Sequence, residues 1–410
     1  MSEGAVVAVA IIVMNVATYG LTLAAARLMG PSGFGQFSAV MGILMVLNVL
    51  ALGLQATGAR RVAAAGDRGR VEEEIRRAAY GGAAGLGVVT LLAAPALKVV
   101  LDVDSWWTLA ALAVAAGCLT LVGALAGLLQ GEGRWWPLSA VFVAIGVARL
   151  GFGVAALALR PSTASAMIGV AAGTLVPLAI GWFALSRRPT PTPSRAGNGS
   201  HTRGVLTEVG HSTHALLAFF ALSNIDIILA RAVLPDRAAG LFAGGLIVTK
   251  AVTFLPQFVI VLAFPVMARR GESDRAHVIG LALVAAIGLA ATIGVVALPG
   301  LAEVFIGGTS YAEVTGQLWL FALAGTVLAC IQFLVYSSLA LEHPGAVWVL
   351  WAGVVLFAVV GLTAQDTTSL VVGRVWTALL TGVVFVTVLT RGRTPRISAR
   401  RRARSDRPRR

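Results

Sequence analysis

Six cations stand inside or at the ends of long apolar runs: Arg27, Lys98, Arg149, Arg231, Lys250 and Arg374. Arg149 and Lys250 each lie about a dozen residues from either end of their runs, where a cation costs about 2.5–3.5 kcal/mol on insertion scales. Such a charge must face protein or a wet cavity. The chemistry it suits is anion binding, and a guanidinium does this through paired, charge-assisted hydrogen bonds. Asp226 is the one acid within a run, so it cannot neutralise Arg149, Lys250 and Arg374 together. Asp226 itself has two readings: the partner of one of these cations, or a proton or cation coupling site. Lys98, close to a run end, is expected to snorkel to the headgroups.

Uncharged polar residues recur around these charges at helical spacing. Asn15, Thr18, Tyr19 and Thr22 fall at i, i+3, i+4 and i+7. Lys250, Thr253 and Gln257 share a face, as do Arg374, Thr377 and Thr381; Asn48 and Gln55 are seven apart, and Asn224 stands beside Asp226. Polar stripes on apolar helices turn away from lipid. They line a wet cavity or hydrogen-bond one helix to another. Several stripes together with excess positive charge favour a central cavity. Its expected anion-binding set is Arg149, Lys250, Arg374, Arg27 and Arg231.

Other chemistry finds little support. His211 and His214 have metal-ligand spacing but no neighbouring acid or cysteine, so no metal site is expected. Cys118 and Cys330 sit singly in apolar runs and suggest small packing residues. No phosphate-binding glycine loop occurs, and no cofactor is expected. Asn198-Gly-Ser200 has the form of a glycosylation sequon, read as chance on a cytoplasmic segment.

The elements that must position these residues are membrane helices. Of 410 residues, 58% are hydrophobic and 12% charged, with a mean hydropathy of +0.86. A soluble domain carries about 25% charged residues. Hydrocarbon admits only helices and closed barrels, and the alternating segments of a barrel are absent. The expected spans are 5–28, 37–59, 79–101, 106–129, 136–159, 165–186, 212–234, 240–266, 277–299, 314–340, 346–363 and 368–390. The first is read as a retained helix, not a signal peptide. Glu72-Glu-Glu74 with Arg76-Arg77 is read as a surface-lying helix between spans.

Basic residues set the orientation. Segments 60–77, 187–203 and 269–275, Arg134 and the tail after Thr390 hold nearly all of the loop arginines, against Arg160 and Arg237 on the other side. The positive-inside rule then places both termini in the cytoplasm of a bacterial inner membrane. The tail is expected to be disordered and to contact anionic lipid, not nucleic acid.

A Pro/Ser/Gly-rich stretch between the sixth and seventh spans divides the chain into a six-helix lobe 1–187, a linker 188–206, a second lobe 207–390 and a basic tail 391–410. The lobes share a pattern. Arg27 and Pro31 precede Gly35-Gln-Phe37, and Arg231 and Pro235 precede Gly240-Leu-Phe242. Six helices per half give both copies one orientation, so a pseudo-twofold axis along the membrane normal is expected.

The segment Asn224-Ile-Asp-Ile-Ile-Leu-Ala-Arg-Ala-Val-Leu-Pro235, running to Gly240-Leu-Phe242, resembles the second-lobe opening of polysaccharide-type lipid flippases. Ala26-Arg-Leu-Met-Gly-Pro-Ser-Gly-Phe-Gly-Gln-Phe37 resembles the first-lobe opening of the same multidrug/oligosaccharidyl-lipid/polysaccharide exporter superfamily. The resemblance covers residues 1–390, and twelve helices favour the O-antigen or exopolysaccharide branch. It implies a non-enzymatic transporter that carries a sugar oligomer on polyprenyl pyrophosphate to the outer leaflet by alternating access. The bilayer, the lipid-linked glycan and glycan polymerases or glycosyltransferases would be its partners. Tyr19 and Tyr336 would stack on sugar or pack in the core. The alternatives are a multidrug antiporter of the same fold, which calls for cavity acids, and a membrane glycan polymerase, ligase or glycosyltransferase, which calls for a large external loop.

Overall fold

The computed structural model describes residues 3–65, 68–186, 201–255, 273–340 and 346–391. The Pro-rich stretch with Asn198, Gln257, and the tail beyond residue 391 lie outside these. Among the described residues the architecture is all-α: α1 Glu3–Leu47, α2 Val49–Ala64, α3 Arg68–Val100, α4 Trp106–Gly131, α5 Trp135–Leu159, α6 Thr163–Ser186 and α7 His201–Val233. There follow α8 Asp236–Phe254, α9 Ser273–Ala297, α10 Pro299–Ile306, a 3-10 stretch Thr309–Gln317, α11 Leu318–Ala340, α12 Ala346–Leu362 and α13 Thr367–Arg391.

Ten helical stretches among these are long and apolar enough to cross a bilayer, and α12 is apolar but shorter. The first stretch runs over 61 residues, Gly4–Ala64, where about 20 suffice. It breaks at Gly30, whose φ of 67° and ψ of 179° are not helical. Glycine tolerates this backbone because it has no Cβ, and Pro31, lacking an N–H, can open the next arm. The sequence predicted a loop over 29–36; the structure makes the reversal at this single residue. Contacts give the two arms opposite directions. Tyr19 of the first arm and Pro31 at the break meet Ile247 and Gly240 of α8, while Gly42 and Gly53 beyond the break meet Ile227 and Thr213 of α7.

The separate surface helix expected near Glu72–Arg77 is instead the beginning of α3. Ion pairs one turn apart, Arg70–Glu74 at 3.2 Å, Arg76–Glu72 at 2.8 Å and Arg77–Glu73, support these turns. Arg61 also reaches Glu74 at 3.4 Å, tying the end of α2 to α3. The turns therefore continue the membrane helix and do not lie apart from it. At the opposite end, the expected loop near 300–313 holds α10 and the 3-10 stretch.

Small residues let the helices close on one another. Gly123, Gly127 and Gly131 recur every four residues along α4 and face α2; a Cβ on Gly127 would lie 2.6 Å from the Gln55 carbonyl oxygen. In the second half Gly325 of α11 closes on Thr249 of α8 in the same way. Helix pairs α1–α5, α2–α4, α3–α4, α4–α6 and α5–α6 pack in the first half, and the pairs six passes later, α7–α12, α8–α11, α9–α11, α11–α13 and α12–α13, pack in the second. Between the halves, α1 packs on α7 and α8, and α2 and α3 on α7.

Candidate functional site

Residues from three helices of the second half form one buried polar cluster. Asn224 and Asp226 come from α7, Lys250 from α8 and Arg374 from α13. Asp226 and Arg374 are each 1% exposed, with Arg374 Nε 3.5 Å from Asp226 Oδ2. None of the three guanidinium nitrogens has a hydrogen-bond partner among the described residues, so the pair is held by charge and not by a bidentate fork. The other face of the guanidinium lies over Phe357 of α12, 5.0 Å from the ring centre. Phe357 carries no sequence signal for this role, since only packing sets it under the cation. Lys250 Nζ donates to Asn224 Oδ1 at 3.4 Å and lies within Coulombic range of Asp226. Asp226 is thus shared between two cations and leaves net positive charge.

Arg149 stands apart, on α5 in the first half. It lies on a buried face with Gly146 and Gly153, which close on Met14 and Leu21 of α1. Gly173 of α6 closes on the Arg149 backbone from the other side. The side chain is 7% exposed, and its Nε has no partner among the described residues. Tyr19 of α1 donates its hydroxyl to the Ile247 carbonyl of α8, one turn from Lys250. The middle of α1 therefore runs between the helix that carries Arg149 and the helix that carries Lys250.

The two motif arginines act elsewhere. Arg231 sits at the end of the molecule opposite the arginine-rich segments, where it donates to the Leu101 carbonyl at 3.0 Å and pairs with Asp236 at 2.7 Å. Arg27 donates to the Val304 carbonyl of α10 at 3.1 Å. Each arginine thus reaches a connection in the other half: Arg231 the turn after α3, Arg27 the segment after α9. Tyr311 adds a bond to the Ala26 carbonyl at 3.1 Å, and Gly35 and Gly240 of the two motifs meet face to face. Arg27 and Arg231 were expected as cavity cations. The structure makes them braces between the halves, because both close their helices beside facing carbonyls. Lys98, expected to reach the headgroups, instead donates to the Val103 and Asp104 carbonyls of the turn that follows its helix, at 2.9 and 2.8 Å.

Several polar stripes serve packing. Thr253 donates to its own Thr249 carbonyl and to Gly325 of α11 at 3.2 Å, so it joins two helices and does not line a cavity. Gln55 donates to Gln130 of α4 at 3.0 Å. Thr18, Thr22 and Thr377 bond back to carbonyls of their own helices, as hydroxyls in apolar helices must when no other acceptor is in reach. Asn15 and Asn48 are half-buried. Gln257 lies outside the described residues. His214 accepts from Trp351 Nε1 at 2.9 Å, a packing role on α7 and α12.

The model of the polysaccharide biosynthesis protein family matches residues 2–271 of this chain. Among solved structures, the lipid II flippase MurJ in an inward closed conformation superposes with a TM-score of 0.74 at 10% identity, covering 94% of this chain and 87% of that one. An inward-facing multidrug resistance MATE family transporter of the MOP superfamily gives 0.70 at 13% identity, covering 94% and 96%. An outward-facing MATE family transporter of that superfamily gives 0.54 at 14% identity, covering 92% and 93%. No curated protein matches by sequence. The chain belongs to the polysaccharide biosynthesis protein family, and its fold is that of the MOP-superfamily transporters and flippases.

Proposed function

We propose that the protein flips a lipid-linked, polyprenyl-pyrophosphate oligosaccharide from the cytoplasmic to the outer leaflet, by alternating access between lobes 1–187 and 207–390. The observation that carries this reading is the unneutralised positive charge on both sides of α1: Arg149 has no acid beside it among the described residues, and Lys250 shares Asp226 with Arg374. A diphosphate supplies the missing anionic oxygens when the halves part and water enters between them. Each charged hydrogen bond would contribute about 1.5–3 kcal/mol. The sugars pass through the hydrated space while the lipid tail stays in the bilayer.

The braces at the opposite end support a state closed on that side, and the better superposition on inward-facing than on outward-facing relatives agrees with it. With the arginine-rich end in the cytoplasm, this is the loading state of an exporter. The multidrug reading is weaker, because a cationic drug needs a free carboxylate and Asp226 is engaged by Arg374. Depletion in the native host tests the proposal. A lipid-linked glycan should accumulate on the cytoplasmic leaflet, whereas unchanged glycan with altered sensitivity to cationic drugs would refute it.

A further inference from the structure

The outer wall of the first half carries a groove of about 360 Å³, within the range of ligand pockets. It lies between α3, α4 and α6, away from the contact between the halves. Leu121, Leu125, Leu175 and Leu178 form its floor and sides, with Ala79, Ala124 and Ala179 providing the depth. It is a recess in a surface that faces hydrocarbon. At its mouth stand Tyr80, Trp182 and Phe183, all well exposed, and Arg76. Tyrosine and tryptophan gather at headgroup level in membrane proteins, which sets the depth of this mouth.

Arg76 is the one charged residue of the lining. Its guanidinium lies over the Trp182 ring, 5.3 Å from the centre, and one terminal nitrogen holds Glu72 at 2.8 Å. Its Nε is buried without a hydrogen-bond partner among the described residues, while about a third of the side chain remains exposed. The ring and Glu72 fix the guanidinium at the boundary between apolar groove and headgroups. The exposed part of the guanidinium, beyond its contact with Glu72, can meet an oxygen-rich anion above an apolar chain.

We propose that this groove holds an acyl chain of an anionic phospholipid, with the headgroup phosphate on Arg76. The charge at the mouth selects the headgroup, and the apolar recess accepts the chain. The ligand is a bilayer phospholipid and not the transported carrier lipid, because the groove opens to the bilayer on the outer face of one half. The assignment is independent of the transport reading.

Native mass spectrometry of the purified full chain, titrated with phosphatidylglycerol, phosphatidylcholine of the same chains, or undecaprenyl phosphate, tests it. The wild type should retain phosphatidylglycerol in preference to the other two. Arg76→Gln should lower that retention about fivefold, the expected effect of one basic residue at an anionic surface. Ala179→Trp, which fills the recess and leaves Arg76 and Glu72 untouched, should lower it as well, and it decides the matter if Arg76→Gln does not fold. Equal retention of phosphatidylcholine, preferred retention of undecaprenyl phosphate, or wild-type retention by Ala179→Trp would each overturn the proposal.

Discussion

The buried pair Asp226–Arg374 shows how a single residue divides between the readings its sequence allows. A lone acid in a membrane span suggests either a counter-ion or a coupling site, and nothing in its own helix selects between them. Contact with Arg374, 148 positions further on, comes only from the packing of α7 and α13. Removing one member of a buried pair leaves the other uncompensated, at a cost of about 3–5 kcal/mol. Asp226→Asn is therefore expected to reduce folded protein, measured by fluorescence-detected size exclusion and thermal melting. Pairing Asp226→Leu with Arg374→Met should restore it, since well-packed apolar residues replace such pairs at little cost. Normal accumulation of Asp226→Asn with loss of gradient-driven transport would instead assign the carboxylate to coupling. Arg27 and Arg231 were legible as important but not in their roles, because a brace depends on a carbonyl that no residue type reveals.

Helices were the most legible level, since hydrophobic length alone marks a span. Their ends were less so: charge marked Glu72–Arg77 as polar, yet one-turn ion pairs carry α3 through it. The reversal at Gly30 needs no loop because glycine and proline meet there. Element contacts yield two predictions. Gly127→Leu should sharply lower folded protein, because the side chain would meet the backbone of α2 and neither helix can yield. Gly240→Val should fold yet wedge the halves apart, because its Cβ would collide with the Pro31 carbonyl. Spin labels at Asp104→Cys and Glu313→Cys, with Cys118 and Cys330 replaced by alanine, should then report a longer distance across the closed end. An unchanged distance with normal transport would show that this contact does not hold the halves together.

For the whole molecule, a repeated Arg–Pro–Gly-x-Phe pattern in sequence suggests two halves, and corresponding helix pairs pack in each part of the chain. The meeting of Gly35 with Gly240 brings the two copies of the pattern into contact. What the sequence could not supply is which polar stripes face a neighbouring helix, because Thr253 and Gln55 have the spacing of cavity residues and the contacts of packing residues. The proposed orientation predicts that cysteines in 60–78 and 187–206 resist an impermeant reagent in intact cells. Labelling there from outside would reverse the direction of transport. The central claim, that Arg149 and Lys250 hold the diphosphate of a lipid carrier, is tested most directly by flipping of a polyprenyl-pyrophosphate-linked glycan in proteoliposomes. Arg149→Ala and Lys250→Ala should each insert as well as the wild type and lose at least about tenfold in transport, the equivalent of one charged hydrogen bond. Arg149→Lys should recover only part, since an ammonium lacks the paired geometry. Wild-type flipping by both alanine variants would contradict the account.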